Sequence, residues 1–118
     1  MPDGTTNPPV EAVPPPTIHE AELASGLSGI VYWGPVIEFA AAVARRMTGG
    51  NVVVRGDILA ANRALTRTIE SAVGPCQRSD PHKRHAGPFA LPHFQQRTSP
   101  PTGHTFYETD KRKARKRP

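Results

Sequence analysis

Residues 51–55 read NVVVR, a β-branched run that predicts a short strand. On either side of it the apolar positions recur at helical spacing. The segment PVIEFAAAVARRM places Val36, Phe39, Ala40, Val43 and Met47 on one stripe. Pro35 suits the first helical position, where its missing N–H is not needed. Arg45 and Arg46 fall in the last turn, where they complement the helix dipole, and Gly49-Gly50 ends the run. Beyond the strand, Asp57 is a candidate N-cap for ILAANRALTRTIESAV. Ile58, Ala61, Leu65, Ile69 and Ala72 form the apolar face of this second helix, while Asn62, Arg63, Thr66, Arg67 and Glu70 point away. Gly74-Pro75 stops it, glycine taking the left-handed position and proline refusing to continue.

The flanks follow other rules. MPDGTTNPPVEAVPPPTI (1–18) carries six prolines without periodicity and predicts a disordered or polyproline-II leader. HEAELASGLSG holds at most one helical turn before Gly26 and Gly29, and Trp33 is a packing anchor. After Cys76, QRSDPHKRHAGP reads as a loop. FALPHFQQ and GHTFYE read as two strands joined through RTSPPTG. KRKARKRP (111–118) reads as a disordered basic tail. The expectation is an α+β fold: N-terminal helices packed on a small antiparallel sheet in one domain, 19–110, between disordered termini.

Composition narrows this picture. Of 118 residues, 14 are Pro and 10 Gly, so much of the chain is irregular. With 36% hydrophobic residues there is material for one modest core. Charge is polarised. Residues 1–60 hold six acids against three Arg, net −3, and residues 61–118 hold twelve Lys or Arg against four acids, net +8. The C-terminal half is thus a basic body of the kind that attracts polyanions. A single cysteine, Cys76, excludes an internal disulfide framework. MPDGTTNPPV has neither the basic nor the apolar region of a secretion signal, and residues 30–44 are too short and too interrupted to span a bilayer. The expectation is a soluble monomer that does not engage membranes.

The helix ANRALTRTIESAVGP, followed by a His-containing loop, ALPHFQ and a closing GHTFY, resembles the C-terminal toxin modules of bacterial polymorphic toxin systems. The nearest group is type 24, regarded as ribonuclease-like. The resemblance covers roughly residues 55–108. It implies RNA as substrate, an acidic immunity protein as partner, and a secreted effector that acts in a target cell's cytoplasm. The chain departs from that pattern in starting with its own Met, without a delivery domain, and in ending on a basic tail, so an orphan cytoplasmic module, a fragment or an inactive relative are the other expectations.

Metal-independent RNA cleavage needs a base for the 2′-OH, an acid for the departing 5′-oxygen and a cation for the crowded phosphate. Histidine suits both proton roles and arginine the third. His93 and His104 lie on the two candidate strands. Paired as a hairpin, these would face both imidazoles into one cleft, with Arg97 as phosphate ligand and Tyr107 as phenolic donor or stacking ring. The plainer alternative is a pair of partly buried histidines bonded to backbone. Lys83, Arg84 and His85, with Lys111, Arg112 and Lys113, are candidate substrate contacts. Cys76, His82, His85 and His93 match no zinc spacing, so no metal and no cofactor is expected. Phosphate-loop, dinucleotide and hydrolase-elbow motifs are absent from the sequence. The rival function is a basic module that binds nucleic acid or an acidic partner without catalysis.

Overall fold

The computed structural model describes residues 13–25, 29–79 and 89–118. Along the chain run β1 (Thr17–Leu23), β2 (Val31–Val36), α1 (Phe39–Met47), β3 (Asn51–Arg55), α2 (Leu59–Val73), β4 (Cys76–Ser79), β5 (His93–Gln96), β6 (Thr105–Tyr107) and β7 (Arg115–Lys116). The strands form a single sheet in the order β4-β5-β6-β3-β1-β2-β7. β3–β6 and β2–β7 are parallel and the other pairs antiparallel. The class is α+β, but the sheet is mixed and seven-stranded among the described residues. The helices are interleaved with strands rather than gathered at the N-terminus.

Strand alternation divides the core in two. Val52 and Val54 of β3 join Ile18, Ala42, Ile69, Phe94 and Tyr107 beneath the helices. Val53 points to the opposite face and packs with Ala21, Val31, Leu91, Phe106 and Ala114. The segment around Leu91 and the C-terminal residues cover that second face.

Four expectations change. Residues 17–23, divided in prospect between leader and helical turn, form β1 between β2 and β3. Its inward positions include His19 and Ala21, so its apolar alternation is faint in the sequence. Pro35 sits in β2, not at a helix start. His19 pairs with Val36 and Ala21 with Trp33, so Gly34 and Pro35 together lie opposite Glu20. That bulge is one of the few places in a sheet that tolerates proline. Residues 77–79, expected as the start of a loop, belong with Cys76 to the edge strand β4. Gly74 is extended, with φ 166°, and not left-handed. A side chain there would come within 2.5 Å of Gln96 Oε1, which is a spatial reason for glycine.

The tail is structured too. The Ala114 N–H donates to Glu108 Oε2 at 2.9 Å, and the Ala114 side chain is buried. The Arg115 guanidinium lies 4.3 Å from the Phe89 ring centre, and Arg117 lies over Tyr32 and pairs with Glu22. A run of cations reads as solvated only while its acidic and aromatic partners elsewhere in the chain are unknown. Residues 1–12, most of the expected leader, lie outside the described residues.

Candidate functional site

His93 opens β5, and His104 lies just before β6. His93 is the register partner of Phe106, so both side chains emerge on the face away from the helices. The His104 backbone is fixed by two bonds to the start of β3. Its N–H donates to Asn51 Oδ1 at 2.9 Å, and its carbonyl accepts from the Val52 N–H at 3.1 Å. Gly103 makes the approach. Its φ of 92° favours glycine, and a Cβ there would meet the Gly49 carbonyl at 2.6 Å.

The two imidazoles are in contact, with ring centres 4.2 Å apart and planes tilted by 46°. Both stand edge-on to Phe106, at 5.5 Å and 5.4 Å. Burial pushes His104 from its usual 6.5 down to about 4, and the charges of His93 and Arg46 add to the effect. Burial also lowers His93, opposed by a hydrogen bond of 2.8 Å between its Nε2 and Gln95 Oε1. The Leu91 backbone opposes that shift too, without reaching hydrogen-bond geometry at His93 Nδ1. Nδ1 of both rings is buried and has no hydrogen-bond partner among the described residues.

Behind the pair lies an ion pair that sequence reasoning missed. Arg46 and Glu70 are fully buried, with Arg46 Nε donating to Glu70 Oε2 at 2.6 Å. Arg46 also donates to the carbonyls of Gly50, Thr102 and Gly103 at 3.0, 2.7 and 3.1 Å. Glu70 accepts from Thr105 Oγ1 at 2.6 Å and Gln96 Nε2 at 2.8 Å. One guanidinium thereby ties α1, α2 and the segment that delivers His104. Pattern reading put Arg46 at a helix end and Glu70 on an outer face, and no local signal marks either as internal.

The other expected site residues go elsewhere. Tyr107 alternates with Phe106 and enters the core beneath the helices, 6.0 Å from the Phe94 ring. Arg97 turns back at the end of β5, its Nε donating to the Cys76 carbonyl at 3.2 Å. The structure therefore brings His93 and His104 together and separates them from Arg97 and Tyr107. Lys83, Arg84 and His85, with His82, lie outside the described residues. Lys111 and Lys113 are exposed. Arg112 Nη1 donates to the Ala90 carbonyl at 2.7 Å. Among the described residues no group of three His, Cys, Asp or Glu is arranged to hold a metal ion, and no helix is long and apolar enough to cross a membrane. Cys76 is half-buried, its Sγ 3.6 Å from Ser71 Oγ.

On the helix side of the sheet a cavity of about 1150 Å³ opens between α2 and β4. Arg63, Arg67, Arg78 and Arg97 line it. The chain matches no protein-family model, no curated protein and no solved structure.

Proposed function

We propose that this protein is a ribonuclease-like toxin effector that cleaves RNA by metal-independent acid–base catalysis, with His93 and His104 as the proton-transfer pair. The observation that carries the reading is the contact between the two imidazoles, formed by the two motifs that resemble the toxin modules. His104 is the base. With its proton affinity lowered it is neutral over most of the pH range and takes the 2′-OH proton as that oxygen attacks phosphorus. A 2′,3′-cyclic phosphate forms and the 5′-oxygen leaves. His93 is the acid that protonates it from Nε2, which exchanges its bond with Gln95 Oε1 for the leaving oxygen, because its Nδ1 is buried. Lys83, Arg84 and His85 remain substrate contacts on sequence grounds. An acidic immunity protein is the partner that suits the basic half of the chain.

A lowered acid and a still lower base give a definite pH signature. The base must be neutral and the acid protonated, so kcat/KM should peak on the acid side of 6.5 and fall again towards about 4. His93→Ala and His104→Ala should each lower RNA cleavage roughly 10²-fold or more, with EDTA without effect and circular dichroism unchanged.

A second reading, a basic module that binds nucleic acid without cutting it, is favoured by the arginine-lined cavity on the opposite side of the sheet from the histidines. Cleavage by both histidine variants at the wild-type rate would select that reading, and recovery of an EDTA-sensitive activity by added metal would exclude the metal-independent mechanism.

A further inference from the structure

The cavity between α2 and β4 has the chemistry of a phosphate-backbone site. Arg63 and Arg67 are one turn apart on α2, about 6 Å along the axis, comparable to the phosphate step of an extended strand. Arg78 of β4 and Arg97 at the end of β5 face the same space, with the hydroxyls of Thr68 and Ser71. Neither Asp nor Glu lines it among the described residues. The only carboxylate of α2, Glu70, is turned inward and engaged by Arg46, so it does not offset these cations. Arg63, Arg67 and Arg97 bring like charges together with no carboxylate among the described lining residues, a cost that a bound anion relieves.

Two further observations give the site direction. Arg63 also lines a smaller cavity, about 380 Å³, whose rim carries Lys111 and Arg112 beside Asp110. The cations therefore form a track from the end of β5 across α2 to the C-terminal segment, which suits a repeated anion better than a single one. The Arg63 guanidinium carbon lies 6.0 Å from the centre of the Tyr107 ring, a contact that holds it between the two cavities. A forked guanidinium binds phosphate oxygens in pairs.

We propose that the α2–β4 groove, with Arg63, Arg67 and Arg97 as its principal cations, binds the sugar–phosphate backbone of single-stranded RNA. The choice of RNA as the polyanion rests on the ribonuclease reading; the groove's preference for a phosphate backbone does not.

The test is fluorescence anisotropy with a labelled 2′-O-methyl oligoribonucleotide, which lacks the attacking hydroxyl and so reports binding whether or not the protein cleaves RNA. Arg63→Ala/Arg67→Ala should weaken binding on the order of tenfold or more, and should flatten the dependence of log Kd on log salt by roughly 0.7 per lost phosphate contact. Arg67 is exposed, so Arg67→Glu keeps the fold and should weaken binding as well. Arg115→Ala/Lys116→Ala, on the strand at the far edge of the sheet, should leave affinity unchanged. Unaltered binding by Arg67→Glu overturns the inference, as does an equal loss in the β7 variant. An acidic peptide that competes better than RNA, in an Arg67-dependent manner, also overturns it. Arg-dependent binding by a protein that leaves unmodified RNA intact discards the ribonuclease reading and keeps the groove. Cleavage of RNA with Arg-independent binding does the reverse.

Discussion

His104 shows how one side chain can carry an electrostatic cost set by its neighbours. Its ring is packed against His93 and Phe106, and burial lowers its affinity for a proton. The unfolded chain binds that proton near 6.5, whereas the folded chain resists it until about 4. Below 6.5 the unfolded state therefore binds more protons, and stability falls as pH drops through that window. The contribution is fully present above 6.5 and lost by the time pH reaches about 4. Urea midpoints measured across this range should decline for the wild type. The decline should be shallower in His104→Phe, which keeps the ring contact and removes the titration. Identical slopes for the two proteins would mean that His104 titrates as a solvated imidazole. That His93 lies on one strand and His104 at the start of its neighbour was legible in the alternation of FALPHFQQ and GHTFYE. That they touch was not, because contact depends on how Gly103 and Asn51 position the segment before β6.

At the scale of elements, α1 and α2 were found by their spacing, yet each lies on the sheet with a different face from the one its apolar residues suggest. α1 buries Ala42 and Arg46, while Phe39 and Met47 are exposed. α2 buries Asn62, Thr66, Ile69 and Glu70, and Leu65 is only half-buried. Asn62 explains part of that rotation, since its amide donates to the carbonyls of Gly56 and Glu108 at 2.9 and 3.1 Å. The Arg46–Glu70 pair explains the rest, because two charges without access to water must face each other. Breaking the pair leaves one buried charge uncompensated. Arg46→Ala and Glu70→Ala should each lower stability by about 3–5 kcal/mol in chemical denaturation. The double variant should lose clearly less than the sum of the two. Additive losses would show that the residues contribute independently.

For the whole molecule, the ends of the sheet decide how the chain closes. β7 pairs with β2 at one edge, far from β4 at the other. Glu108 joins the two halves of the chain: its Oε2 accepts from Arg55 Nε and from the Ala114 N–H, each at 2.9 Å. Arg55 in turn lies 4.4 Å from the centre of the Trp33 ring. Removing residues 111–118 deletes Ala114 from the second core and uncovers that face. Truncation should lower stability by on the order of 1–3 kcal/mol, and Trp33 fluorescence should shift to the red. Unchanged stability and emission would make the basic tail a solvated appendage, as its charge alone suggests.

By itself the sequence determined the two helices, the strand NVVVR, the pairing of the two aromatic strands and the basic character of the C-terminal half. These rest on local period, β-branching and net charge, which are properties of adjacent residues. Tertiary structure alone decided which face of each helix is inward, that Thr17–Leu23 is a central strand, and that KRKARKRP folds back on the sheet. It also placed Tyr107 and Arg97 away from the histidines and gathered Arg63, Arg67 and Arg97 in one groove. The reason is common to all of these. A buried charge, a strand whose inward residues are His and Ala, or a docked cationic run is stable only through partners distant in sequence. Arg46 and Glu70 are 24 positions apart, and Arg55 and Glu108 are 53 apart, so no window along the chain contains both members of either pair.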